Sequence, residues 1–152
     1  MKAIILAAGM GTRLKAIGKI TPKCLLKIGN KTLLEYSLDN LKQNGINEVL
    51  IVVGHLKELI EKKMGTSYNG MNIKYVENKE YSTTGHAYSL FQTKGLINDD
   101  TLLLEGDLLY ESNAIKFILE HPENNVILTT KLSGSGDEVP IYVDNNDNLS
   151  YL

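Results

Sequence analysis

The chain opens with an apolar run, Lys2-Ala3-Ile4-Ile5-Leu6-Ala7, that breaks abruptly into Ala8-Gly9-Met10-Gly11-Thr12-Arg13. An apolar run of this length ahead of two spaced glycines suits a strand buried on both faces, so the sheet it belongs to must be covered on each side. Gly9 and Gly11 let the backbone turn sharply, or approach a ligand, where a Cβ would collide. Amides turned outward by such a bend make a ready anion site. Arg13 is the only arginine; the other fifteen basic residues are lysines. Its planar, always-charged fork suits phosphate oxygens better than an ammonium does. The stretch reads as a phosphate-handling loop.

Charge supports that reading. Residues 1–34 hold Lys2, Arg13, Lys15, Lys19, Lys23, Lys27 and Lys31 and no acid, a net of +7, whereas the whole chain is −2 and residues 35–152 therefore sum to −9. Such asymmetry is the footprint of an anionic ligand, although Lys15, Lys19 and Lys31 also fit a solvated face. The loop is not a dinucleotide fingerprint, because Leu14 stands where the third glycine would be. Nor is it an ATPase P-loop, since no Gly-Lys-Ser/Thr closes it. It closes instead with Thr21-Pro22-Lys23-Cys24.

Taken together, Leu6-Ala7-Ala8-Gly9-Met10-Gly11-Thr12-Arg13-Leu14 and Thr21-Pro22-Lys23-Cys24-Leu25-Leu26 closely resemble the two-part signature of the nucleotidyltransferases. The resemblance implies coupling of a nucleoside triphosphate to a sugar phosphate or small phospho-alcohol, with release of pyrophosphate. It implies nucleotide contacts from Leu6 to Arg13, and Lys23 bridging the α-phosphate and the acceptor.

At 152 residues the chain is expected to form one domain, 1–152, with 43% hydrophobic and 22% charged residues as in ordinary globular proteins. The lone Cys24 excludes an intramolecular disulfide framework and fits a reducing, cytoplasmic setting. Beside Lys23 its thiol is either activated or, in keeping with its type, a small buried hydrophobe. No stretch is long enough to span a membrane. A nucleic-acid partner is disfavoured, because the basic segment lacks interleaved aromatics and the rest is acidic.

The remaining pattern alternates strand and helix. Residues 25–28 are extended before a Gly29-Asn30 turn. Thr32-Leu33-Leu34-Glu35 is a capping box opening a helix with Leu34, Leu38 and Leu41 on one stripe, ended by Asn44-Gly45. Residues 48–53 form a buried strand. Residues 56–64 form a helix with Leu56, Leu59, Ile60 and Met64 inward, and 72–77 a half-buried strand. A three-layer α/β/α, Rossmann-like, mostly parallel sheet follows from this order.

Two later stretches bear on chemistry. Tyr81-Ser82-Thr83-Thr84-Gly85-His86 leads into a helix with Leu90 and Phe91 on its stripe and Gly95 as its stop; Thr83 or Thr84 is a candidate N-cap. In the resembled family a pair such as Thr84-Gly85 reads the nucleobase, and backbone groups at a glycine can meet a flat base edge unobstructed. Next, the strand 101–104 delivers Asp107 at its C-terminal end, where open α/β sheets bind ligands. An oxygen ligand there suits Mg²⁺, and the resemblance assigns the metal to Asp107. Glu105 either reaches the same pocket or faces away.

Ser112 or Asn113 caps a helix with Ile115, Ile118 and Leu119 inward, and 126–130 reads as a further strand. Residues 139–143 and 149–152 flank Asp144-Asn145-Asn146-Asp147-Asn148 as a β-hairpin near the C-terminus. Between them, Ser135-Gly136-Asp137-Glu138 resembles most the cytidylyltransferases acting on phosphocholine or 2-aminoethylphosphonate, where Asp137 or Glu138 could pair with an acceptor's ammonium group. The expected function is Mg²⁺-dependent cytidylyl transfer from CTP to such an acceptor, with Arg13, Lys23 and Asp107 as its catalytic residues. Uridylyl or thymidylyl transfer to a sugar 1-phosphate, and a nucleotide-binding regulatory module without turnover, are the alternatives. Members of the family usually run longer at the C-terminal end, where a second metal-binding aspartate and the acceptor pocket are expected.

Overall fold

The computed structural model describes residues 1–131, 134, 140–146 and 148–151. Contacts divide the chain into two compact units, Met1–Leu119 and Glu120–Leu152. In the first unit the strands are β1 (Lys2–Ala7), β2 (Lys27–Ile28), β3 (Lys31–Thr32), β4 (Glu48–Val53), β5 (Ser67–Tyr68), β6 (Met71–Glu77) and β7 (Thr101–Glu105). The helices are α1 (Leu33–Gln43), α2 (Lys57–Met64), α3 (His86–Phe91) and α4 (Ser112–Leu119). The second unit holds β8 (Tyr142–Val143) and β9 (Leu149–Tyr151), paired antiparallel as the expected hairpin.

Five strands form the main sheet in the order β5-β6-β4-β1-β7. β1 is parallel to both neighbours, with Ile5 opposite Ile51 of β4 and Leu104 of β7; β4 is parallel to β6, and only the short edge strand β5 runs antiparallel. Central strands covered on both faces read as unbroken apolar runs. Ala3 and Ile5 pack on one face with Leu34, Leu38 and Leu41 of α1, Ile60 and Met64 of α2 and Ile115 of α4. Ile4 and Leu6 pack on the other with Leu50, Val52, Val76, Tyr81 and Leu90 of α3. The result is the three-layer, mostly parallel sheet expected. Each fully buried leucine or isoleucine here contributes about 2 kcal/mol by leaving water.

Local signals account for most boundaries. Thr32 Oγ1 accepts the Glu35 amide at 3.2 Å and Glu35 Oε2 accepts the Thr32 amide at 2.8 Å, so both arms of the capping box form. Gly45, with φ +80°, follows the end of α1. The two-residue Gly29-Asn30 connection joins β2 to β3 antiparallel.

Several expectations fail locally. Leu59 is 40% exposed rather than inward, because α2 begins at Lys57 and Leu56 is a left-handed residue ahead of it. α3 ends at Phe91, well before Gly95, and leaves Phe91 57% exposed. Its N-cap is Gly85 with no side-chain cap, since Thr83 and Thr84 direct their hydroxyls to the Glu80 carbonyl. Residues 126–130 form no strand: none of the described residues pairs with them, and Ile127 and Leu128 are exposed. β-propensity makes a strand only where a neighbour completes the ladder.

Candidate active site

All four parallel strands end at one edge of the sheet, with Ala7, Val53, Glu77 and Glu105 near their termini. β1 continues into the glycine loop. Gly11 has φ +58°, a left-handed conformation that a side chain would strain. A Cβ on Gly9, by contrast, would meet nothing within 4 Å. The protein's own packing therefore makes no demand for glycine at 9. None of the amides of Gly9, Met10 and Gly11 donates to a backbone carbonyl among the described residues. Arg13 lies in the single 3-10 turn that follows, Thr12–Leu14, and is exposed.

The loop is framed by backbone packed too closely for any side chain. A Cβ on Gly106 would lie 2.7 Å from the Leu6 carbonyl oxygen, one on Gly54 2.9 Å from that of Ala8, and one on Gly18 2.5 Å from that of Gly11. His55 adds two hydrogen bonds. Its amide donates to the Ala8 carbonyl at 3.1 Å and its Nε2–H to the Gly18 carbonyl at 2.8 Å. No sequence motif marks Gly18, Gly54 or His55. Only Gly54, directly after the buried strand β4, carried a positional hint.

The second half of the signature folds back onto the first. Pro22, buried at φ −56°, enters a 3-10 turn, Lys23–Leu25, whose middle residue Cys24 is buried in the core. Burial pushes the Cys24 thiol up to about 12, so it is a small hydrophobe rather than an activated nucleophile. With Cys24 anchored inward, the neighbouring Lys23 projects toward the site. Its Cβ lies 3.8 Å from where a Cβ on Gly11 would stand, and its ammonium forms an ion pair with the Asp107 carboxylate. Two sequence-remote candidates thus meet beside the glycine loop.

The base-reading candidates join the same edge. Glu105, at the end of β7, accepts a hydrogen bond from His86 Nδ1 at 3.0 Å. His86 directly follows Thr84-Gly85. Burial raises the Glu105 carboxyl above its usual range against the lowering pull of His86, and the Asp107 charge raises it further. Glu105 therefore faces the site rather than away from it. Thr84 is held within its own loop: its hydroxyl donates to the Glu80 carbonyl at 2.7 Å and accepts from Asn78 Nδ2 at 3.0 Å. Gly85 is open, with nothing within 4 Å of a Cβ position. Asp137 lies outside the described residues.

No three His, Cys, Asp or Glu residues converge as a metal cage among the described residues. This donor chemistry fits Mg²⁺, which binds through one or two carboxylates and completes its shell with substrate phosphates and water. Asp107, partly exposed at the strand end, could hold such an ion with Glu105 near it.

A glycine loop at the carboxyl edge of a parallel sheet, where open α/β sheets bind ligands, stands beside a lysine and a strand-end aspartate and defines the class of this α/β protein. The chain belongs to the nucleotidyl transferase family, whose model matches residues 2–138. It is 34% identical over 131 residues to CMP-5'-(3-aminopropyl)phosphonate synthase of Streptomyces rubellomurinus, covering 86% of this chain and 21% of that protein. It is 34% identical over 148 residues to D-glycero-alpha-D-manno-heptose 1-phosphate guanylyltransferase of Campylobacter jejuni, covering 97% of this chain and 65% of that one. Among solved structures, CTP:phosphocholine cytidylyltransferase from Streptococcus pneumoniae superposes with a TM-score of 0.63 and 36% identity, covering 73% of this chain and 47% of that chain. The chain thus spans less than two thirds of each of these relatives. No helix among the described residues is long and apolar enough to cross a membrane.

Proposed function

We propose that the chain binds a nucleoside triphosphate, CTP in preference, and transfers its nucleotidyl group to a small phosphate or phosphonate such as phosphocholine or 2-aminoethylphosphonate, releasing pyrophosphate. The observation that carries this reading is the Lys23–Asp107 ion pair beside the glycine loop. It joins a cation for converging phosphates to a carboxylate for a hard metal ion. Likeness to proteins named for CMP-phosphonate synthesis and for phosphocholine cytidylyl transfer supports the choice of base and acceptor.

In this reading an acceptor oxygen attacks the α-phosphorus in line, and the bond from that phosphorus to the oxygen bridging the β-phosphate breaks. No protein nucleophile is needed, because positioning and charge neutralisation carry such a reaction. The Gly9–Thr12 amides and Arg13 hold the β- and γ-phosphates. Lys23 has three N–H donors, one directed at Asp107, so others remain for the α-phosphate and the acceptor oxygens. Mg²⁺ held by Asp107 would supply further neutralisation of the triphosphate charge. Asp137 is the proposed partner for an acceptor's ammonium group, and the cytoplasm the proposed setting.

A second reading, nucleotidyl transfer to a sugar 1-phosphate, draws on the likeness to the heptose 1-phosphate guanylyltransferase. Pyrophosphate release with Mg²⁺ separates the two. CTP, UTP, TTP, GTP and ATP would each be offered with phosphocholine, 2-aminoethylphosphonate and glucose 1-phosphate. Release with CTP and an amino-bearing acceptor is the expected result. Release only with glucose 1-phosphate would favour the second reading, and nucleotide binding without release would describe a regulatory module.

A further inference from the structure

We infer that Asn78 is the positioning residue that sets the base-reading segment; the inference rests on the reading of Thr84-Gly85 as the contact to the nucleobase. Asn78 directly follows β6 and is fully buried. A buried amide this polar persists only when its hydrogen-bonding groups are satisfied, and each of its bonds here falls on the segment between β6 and α3, on α3 itself, or on the sheet that supports them. Its backbone amide donates to the Val53 carbonyl at 2.9 Å, which fixes it to the end of β4. Its Oδ1 accepts the Glu80 amide at 2.9 Å, shaping the turn that follows. Its Nδ2 donates to Thr84 Oγ1 and to Ser89 Oγ, each at 3.0 Å.

These two acceptors bracket Gly85. Thr84 stands just before it, and Ser89, 5% exposed, lies one turn into α3. One side-chain amide therefore clamps both flanks of the exposed glycine. The bonds also tie up the Thr84 hydroxyl, which spends its proton on the Glu80 carbonyl. Recognition of a base edge is left to the backbone at Gly85, and Asn78 determines where that backbone stands. The side-chain bonds of Asn78 fall on the base-facing segment and on α3. The phosphate loop is framed by Gly18, Gly54, Gly106 and His55, none of which bonds the Asn78 side chain.

That separation supplies the test. The chain and its Asn78→Ala, Ser89→Ala and Gly85→Val variants would be titrated by calorimetry, in Mg²⁺, with CTP and with inorganic tripolyphosphate, which has no base. Asn78→Ala is expected to weaken CTP about tenfold, the worth of one to two hydrogen bonds, while tripolyphosphate stays within about twofold. Ser89→Ala, which removes one acceptor and disturbs the core less, is expected to weaken CTP about threefold with the same selectivity. A purely structural Asn78 would lower the melting temperature and leave the ratio of the two affinities unchanged. An unchanged ratio in Ser89→Ala overturns the inference even if Asn78→Ala does not fold. If Gly85→Val leaves CTP binding intact, the base-reading assignment itself fails. If Gly85→Val weakens CTP but neither Asn78→Ala nor Ser89→Ala does, that assignment stands and the role of Asn78 falls.

Discussion

Lys23 and Asp107 stand 84 residues apart in sequence and form an ion pair at the carboxyl edge of the sheet, one from the turn that closes the glycine loop and the other from just beyond β7. Both side chains are about one-third exposed, so the pair itself adds little to stability. Its significance is placement. Lys23→Ala should slow nucleotidyl transfer by roughly 10²–10³-fold while weakening CTP binding far less, because its charge matters most as negative oxygens converge. Steady-state kinetics beside direct CTP titration would check this, and equal losses in both would remove Lys23 from the reacting centre. Asp107→Asn should abolish the Mg²⁺ dependence of turnover, read as a flat response to added Mg²⁺.

Gly9 and Gly106 are expected to fail in opposite ways. A Cβ on Gly9 enters open space, so Gly9→Ala should change stability by no more than about 0.5 kcal/mol yet weaken triphosphate binding. A Cβ on Gly106 meets the Leu6 carbonyl oxygen at 2.7 Å and Ala7 Cβ at 3.1 Å, and neither can yield without moving β1. Gly106→Ala should cost about 1–3 kcal/mol, measured by urea unfolding, and displace Asp107 with it.

The difference between those two glycines also shows what the sequence could and could not convey. Residues 2–13 carried strand and bend in one local run, and the capping box at Thr32 and Glu35 was complete within four residues. Periodicity placed α1, β4 and β6 because each buries a long, regular stripe. The Lys23–Asp107 pairing could be expected only through the resemblance, since nothing local links the two. Asn78, His55 and Gly18 were illegible for a related reason. Their partners are backbone groups and hydroxyls from other segments, and a single asparagine or glycine gives no pattern from which to infer such contacts. The failed strand at 126–130 is the converse case. Its apolar residues fit the template, but a strand also requires a neighbour, which composition does not encode.

Cys24 should be inert toward thiol reagents in the folded chain. It is 3% exposed, and burial together with the nearby Asp107 charge takes its thiol to about 12, so almost no thiolate exists at neutral pH. Labelling by a thiol-reactive dye at pH 7.5 should be slow in buffer and should rise with urea along the unfolding curve. Rapid labelling without urea would show that the 3-10 turn at Lys23–Leu25 opens locally, and would loosen the argument that a buried Cys24 aims Lys23.

Acid should expose the contribution of Glu35. Burial alone would raise its carboxyl, but the Lys63 ammonium at 2.8 Å and the Thr32 amide and hydroxyl bring it down to about 2, from an ordinary 4.5. Because the folded value lies below the unfolded one, the stabilisation is fully present above about pH 4.5 and is lost as pH falls toward 2. After discounting for the solvent around the half-exposed Lys63, it amounts to about 2 kcal/mol. Glu35→Gln should therefore unfold at lower urea than the natural chain at pH 7, and the two midpoints should converge between pH 4.5 and pH 2. Thr32→Ala, which removes the other arm of the cap, should cost about 1 kcal/mol at pH 7. A gap between Glu35→Gln and the natural chain that persists unchanged at pH 2 would mean that the residue acts through packing at the start of α1, not through its charge.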